Sequence, residues 1–211
     1  MQSIKRNIIP IIFTAFYVIL LALNVDFDIS LFGNIRYAIN SLFVYLLPLI
    51  CPVLALVFFL CESKEFALKK WLLPVALGVN IASIMLAVAS YPFPSFSSFD
   101  ILALKTVLWC GRILLITTLL TFVGALFYSK NIFLLRYGAL ASSITSLVIF
   151  VLSFHYHFIF FIFAYTGSNY GSRSVILTQA LMVALALFYL GIFIYTFNCK
   201  RNNLSNKNKG E

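Results

Sequence analysis

The sequence predicts an all-α integral membrane protein, a six-transmembrane-helix bundle whose N-terminus and C-terminus are both cytoplasmic. Three observations carry this. First, 63% of the 211 residues are hydrophobic and 10% charged, with a mean hydropathy of +1.03, whereas a water-soluble domain carries about 25% charged residues. With so little polar covering the backbone must close its own hydrogen bonds, which calls for helices. Second, six apolar stretches approach the roughly 20 residues that cross a bilayer about 30 Å thick. Third, the basic residues are sorted by side. With the loop ESKEFALKK (Glu62 to Lys70) inside, Lys5, Arg6, Lys64, Lys69, Lys70, Lys130, Arg136, Lys200, Arg201, Lys207 and Lys209 all fall in the cytoplasm. Arg36, Lys105 and Arg173 fall outside and Arg112 lies within a span. That asymmetry is the positive-inside pattern, and it absorbs the net charge of +9 without nucleic acid, for which there is no basic groove or patch.

The first span covers about residues 7–25, with Pro10 in its opening turn, where a missing amide is tolerated. A basic start before an apolar run resembles a signal peptide, but the run from Ile8 to Leu23 is long enough to span and has no small-x-small cleavage site before Asp26. The outer loop carries Asp26, Asp28 and Arg36, and its part from Ile29 to Ala38 suits a short interfacial helix. The second span, 41–61, holds Pro48 and Pro52 one turn apart, which predicts a kink. The third, 71–91, has Pro74 in its first turn, with Trp71 and Tyr91 as interface anchors. Ala76, Asn80, Ser83, Ala87 and Ser90 share one of its faces, a stripe of small and polar residues that lets helices approach. Gly78, Ala82, Met85 and Ala89 make a second patch.

After the outer turn PFPSFSSFD (Pro92 to Asp100), the fourth span runs over 106–128, with Cys110, Thr117, Thr121, Gly124 and Tyr128 on a packing face. Lys130 and Arg136 mark the second cytoplasmic loop. The fifth span is taken as 133–157, although the apolar run from Tyr137 to Tyr165 exceeds one perpendicular crossing. Either it continues, or HFIFFIFAY (His157 to Tyr165) lies in the interface. Gly138, Ser142, Thr145, Ser146, Ser153 and His157 project from one broad face and His155 from the other. After TGSNYGSRS (Thr166 to Ser174) the sixth span covers 175–197, with Ala180, Ala184, Gly191 and Tyr195 on one face and Gln179 near its outer end. Residues 1–199 thus form a single membrane domain, and 200–211, rich in Asn and Lys, read as a disordered cytoplasmic tail.

The candidate binding residues are Arg112, Lys105, His157, His155, Asn80 and Gln179, for a substrate or a lipid headgroup. Arg112 is a charge within a span, about two turns from the outer end, so it can snorkel outward. Lys105, seven residues earlier on the same face, would join it on a phosphate. Asn80 either bonds a neighbouring helix or meets a ligand. His155 and His157 lie near the outer interface, where water or a headgroup satisfies them. Two residues apart on a helix they diverge and make a poor chelate, so no metal site is expected, even with Asp26, Asp28 and Asp100 on the same side. No Asp or Glu lies within the six spans, which removes the carboxylate that proton carriers use.

Ser142, Ser143, Thr145 and Ser146 are expected to bond backbone carbonyls or neighbouring helices. No phosphate loop, nucleophile elbow or His-Glu-x-x-His occurs, and no cofactor is expected. Cys51, Cys61, Cys110 and Cys199 show no paired spacing. In size and topology the chain looks like a permease subunit driven by a separate ATPase, a likeness of architecture with no motif behind it. The leading expectation is a non-catalytic transport component or membrane-complex subunit in a cell membrane, with the bacterial plasma membrane the favoured case. Its partners would be the bilayer and a protein docking at Glu62 to Lys70 and Lys130 to Arg136. The alternatives are a membrane enzyme acting on a lipid or polyprenyl headgroup at the outer face, with Arg112, His155, His157 and Asp100, and a structural or immunity-type protein.

Overall fold

The six apolar stretches form six helices in a computed structural model: α1 (Gln2–Asn24), α2 (Ile35–Leu60), α3 (Lys69–Ala89), α4 (Ser98–Leu126), α5 (Ile132–Ala164) and α6 (Ser172–Lys207). The structure describes residues 2–24, 35–61, 69–89, 98–127, 132–164 and 172–207, with side chains for 7–23, 48–61, 71–85, 109–127, 132–152 and 179–198. No strand occurs among the described residues. Three stretches are long and apolar enough to cross a membrane: Trp109–Leu126, Ile132–Leu152 and Gln179–Asn198. Asn7–Leu23, Pro48–Leu60 and Trp71–Met85 are shorter apolar stretches.

Several helix ends differ from the sequence expectation. The second helix starts at Ile35, so the interfacial helix expected over Ile29 to Ala38 is in part the first turn of α2; residues 29–34 lie outside the described residues. The fourth starts at Ser98, taking Asp100 out of the outer turn, because Ser-Ser-Phe-Asp after the prolines is a good helix start. The fifth continues through the aromatic run to Ala164, since nothing from His155 onward breaks it. The sixth is assigned as helix to Lys207. Residues 199–207 contain neither Gly nor Pro, and extending an existing helix is cheap once a long span has nucleated it. Both Pro48 and Pro52 stand inside α2, which is assigned as one helix across them.

Each helix packs against its neighbours in sequence, and α6 closes on α1, so the six make a ring. The pairs α4/α5, α5/α6 and α1/α6 run antiparallel. Across α4 and α5, Thr121 meets Ser142 while Gly124 meets Leu135. Across α5 and α6, Arg136 reaches Thr196 while Ser143 reaches Ala186. Across α1 and α6, Gly191 abuts Pro10 while Tyr17 packs on Phe188. The beginning of α1 and the final turns of the α6 apolar stretch therefore share one end of the bundle.

The core draws on every helix: Tyr17 and Leu21, Cys51, Ala55, Phe58 and Phe59, Leu73, Ala76 and Leu77, Leu114 and Ala125, Leu135, Ala139 and Ile149, Ala184, Leu185, Phe188, Tyr189 and Ile192. The most enclosed helix is α6, where only Phe197 of the residues 179–198 is exposed. Tyr195 sits against Phe58 and Phe59, with ring centroids 5.3 and 5.4 Å away. The outside is apolar as well. Ile12 and Ile19, Val53 and Val57, Trp71 and Val75, Ile116 and Leu119, Ile144 and Val151, and Phe197 are all exposed, so every helix contributes. Apolar surface on that scale is not left facing water by a monomeric soluble protein; with the three long apolar helices it fits a membrane protein.

Candidate functional site

The small and polar stripe of α3 turns inward, as its pattern requires: Ala76 and Asn80 are buried and Ser83 half-buried. Ala87 and Ser90 lie outside the residues with described side chains. The second patch does not stay inside, because Ala82 and Met85 are exposed. A buried Asn must spend its amide within the protein. Asn80 Nδ2 donates to the Tyr189 hydroxyl at 2.6 Å. That hydroxyl lies 2.9 Å from Thr118 Oγ1, so one oxygen joins α3, α4 and α6 at the centre of the ring. Tyr189 itself is fully buried and its ring packs 5.3 Å from Phe188. Because the phenol oxygen accepts from Asn80, its own proton is available to Thr118.

A second polar line lies between α4, α5 and α6. Thr121 Oγ1 bonds Thr117 O at 2.8 Å and meets Ser142 Oγ at 3.2 Å. Ser143 donates across to Ala186 O at 2.9 Å. Ser146 and Thr145 bond the carbonyls one turn back, Ser142 O and Ala141 O, each at 2.8 Å. The serine cluster thus takes the backbone and interhelical roles that its density on one face predicts. Among the described residues no buried side-chain nitrogen or oxygen lacks a partner.

The candidate residues are not gathered into one place. Asn80 is at the central node. Arg112 is exposed on the outside of α4, its guanidinium 5.0 Å from the centre of the Trp109 ring, an arrangement that covers part of the cation's electrostatic demand. Gln179 is half-buried on α6, ten residues or about 15 Å along the axis from Tyr189. Lys105, His155 and His157 belong to α4 and α5, and their side chains lie outside those described. Since α5 continues past both histidines, they stand about 200° apart around its axis, and the condition under which they would chelate one ion, an earlier helix end, does not hold. No group of three potential metal ligands occurs among the described residues.

One sequence assignment is corrected. Arg136 is not a loop residue but the fifth residue of α5, inside an apolar stretch. Its Nε donates to Thr196 Oγ1 and its Nη2 to Thr196 O, both at 3.2 Å, and its guanidinium lies 3.9 Å from the centre of the Phe197 ring. Grouping Arg136 with Lys130 by charge made a loop reading natural, although the span already taken from 133 contains it; the helix starts at Ile132. Tyr189 is the other residue that the sequence argument passed over. Its signal was present, since a tyrosine in mid-span, away from both interfaces, has a hydroxyl that must find a partner.

Compared with known proteins, the chain matches no family model, no curated protein and no solved structure.

Proposed function

We propose that the chain is a six-span integral membrane protein with both termini on the cytoplasmic side, acting as a non-catalytic subunit of a membrane complex. The observation that carries this reading is the spent interior. Asn80 and Thr118 both bond Tyr189, the hydroxyls of α5 bond backbone or α4, and every buried polar side-chain atom among the described residues already has a partner. A ligand entering between the helices would have to break bonds already made, each worth about 1 kcal/mol or less net in a membrane interior. Its own desolvation would then be uncompensated. Arg112, exposed on the far side of α4 from this interior, gives no support to the headgroup-enzyme alternative.

A partner would meet the basic loops at Glu62 to Lys70 and at Lys130, whose lysines are the natural contacts. Arg136, which the sequence adds to that surface, is tied to Thr196 instead. The test is purification of the chain from its native membrane in a mild detergent. A second polypeptide in fixed stoichiometry, released when Lys64, Lys69 and Lys70 are changed to Glu, is the expected result. A lone monomer that binds a polar solute would overturn the proposal in favour of a carrier.

A further inference from the structure

We propose that Arg136, at the end of the bundle shared by α5 and α6, binds the phosphate of an anionic lipid headgroup. Two of its five N–H donors are spent on Thr196, which fixes the plane of the guanidinium and leaves three donors. Thr196 is itself held by its bond to Phe193 O at 2.6 Å. Neutral oxygens orient the cation without neutralising it, and a half-buried charge in an apolar stretch calls for an opposite charge. No Asp or Glu occurs among the residues with described side chains. The surroundings set the depth. Phe133 and Tyr137 are exposed with ring centroids 4.2 Å apart, and Phe197, exposed as well, lies against the guanidinium itself. Tyrosine rings collect where hydrocarbon meets headgroups, and Tyr137 is the residue after Arg136. At that depth the available anion is a lipid phosphate, which a guanidinium fork matches with two parallel bonds. The backbone of α6 continues past Thr196 through Lys200, one turn on.

This site rests on α5 and α6 crossing the bilayer, and the test separates the two. The full chain is reconstituted in phosphatidylcholine vesicles containing phosphatidylglycerol with a photoreactive headgroup. Labelling of Phe133, Tyr137 or Phe197 is expected. Insertion without labelling at those residues overturns the site, whereas failure to insert overturns the crossing beneath it. In detergent, Arg136→Gln is expected to weaken phosphatidylglycerol binding by about tenfold or more, the equivalent of one lost charge-assisted bond, with phosphatidylcholine binding unchanged; equal affinity for phosphatidylglycerol overturns the proposal. Should that variant not fold, Arg136→Lys keeps the charge without the fork, and a smaller loss is expected from it. Displacement of the lipid by millimolar inorganic phosphate assigns the site to free phosphate and overturns the lipid; no displacement upholds it. If Glu62→Gln with Glu65→Gln costs stability that vanishes in the Arg136→Gln background, a loop carboxylate holds the guanidinium and the lipid does not.

Discussion

At the scale of single residues, the Tyr189 hydroxyl ties α6 to both α3 and α4, and removing it separates two kinds of cost. Tyr189→Phe leaves the ring packing against Phe188 in place but strands the Asn80 amide and the Thr118 hydroxyl. Thr118 can turn its hydroxyl to a carbonyl one turn back in its own helix, whereas Asn80, only 3% exposed, has no such local escape. A loss of about 1 to 3 kcal/mol is expected, at the level of one stranded buried group, measured as reversible unfolding in mixed micelles. Adding Asn80→Leu should return part of that loss, because replacing both partners by apolar groups removes the stranded amide. Additive losses would show that the bond contributes nothing. Arg112→Leu is the contrasting case. Its one described contact is the Trp109 ring, so stability should move by no more than about 0.5 kcal/mol, as for a surface change. The inward position of Asn80 was legible from the stripe it shares with Ala76 and Ser83, yet its partner was not. Tyr189 is 109 positions away, and a helical face says which side is buried without saying which helix lies opposite.

At the scale of elements, the α4/α5 pair shows how small residues set the distance between helices. A Cβ on Gly124 would meet backbone, with Leu135 Cα at 2.5 Å and Leu134 C at 2.7 Å. One on Gly138 would meet Thr121 N at 2.8 Å and Cα at 2.9 Å. Backbone cannot turn aside as a side chain can, so either substitution must push the helices apart and stretch the Thr121–Ser142 contact. Gly124→Ala and Gly138→Ala should each lower stability by about 1 to 3 kcal/mol or more. Gly78→Ala provides the control in the same fold. Its Cβ would find only Phe122 Cε2 at 3.5 Å, ordinary contact, and alanine gains about 1 kcal/mol of helix propensity over glycine. That variant should be neutral or more stable, and an equal loss at all three sites in thermal unfolding would refute the close-approach account. The sequence placed Gly124 on a packing face, because small residues repeat at helical spacing, and set Gly138 with the serines of α5 on one broad face without giving it a partner. It placed helix ends poorly, because hydropathy marks where a chain is apolar. Ends are decided by turn residues and by cheap propagation, as α4 starting at Ser98 and α6 running to Lys207 both show.

At the scale of the whole molecule, ring closure joins the packing to the proposed topology. Pro10 touches Gly191 and Arg136 touches Thr196, so the opening of α1, the opening of α5 and the close of the α6 apolar stretch stand at one end. The close of α5 and the opening of α6 then stand at the other. If all six helices cross the bilayer, this arrangement puts both termini on one face and the residues between Ala164 and Ser172 on the opposite face. The basic residues agree with that choice, since Lys5, Arg6, Lys200 and Arg201 gather at the end where translocation is disfavoured. Single cysteines introduced as Ser3→Cys, Asn206→Cys and Ser168→Cys, in a chain whose four native cysteines are replaced, test it directly with a membrane-impermeant maleimide. In sealed vesicles with the cytoplasmic face outward, the first two should label before the membrane is opened and the third only after. Labelling of Ser168→Cys together with Ser3→Cys would mean that an odd helix lies along the surface. The candidate is then one of the three shorter apolar stretches, Asn7–Leu23, Pro48–Leu60 or Trp71–Met85. Of these, α3 is held to the centre by the Asn80 bond, so withdrawing it would break the node that links it to α4 and α6. A five-crossing chain would therefore also have to lose the protection of the Tyr189 core, and amide exchange across residues 184–192 would report that loss in the same preparation.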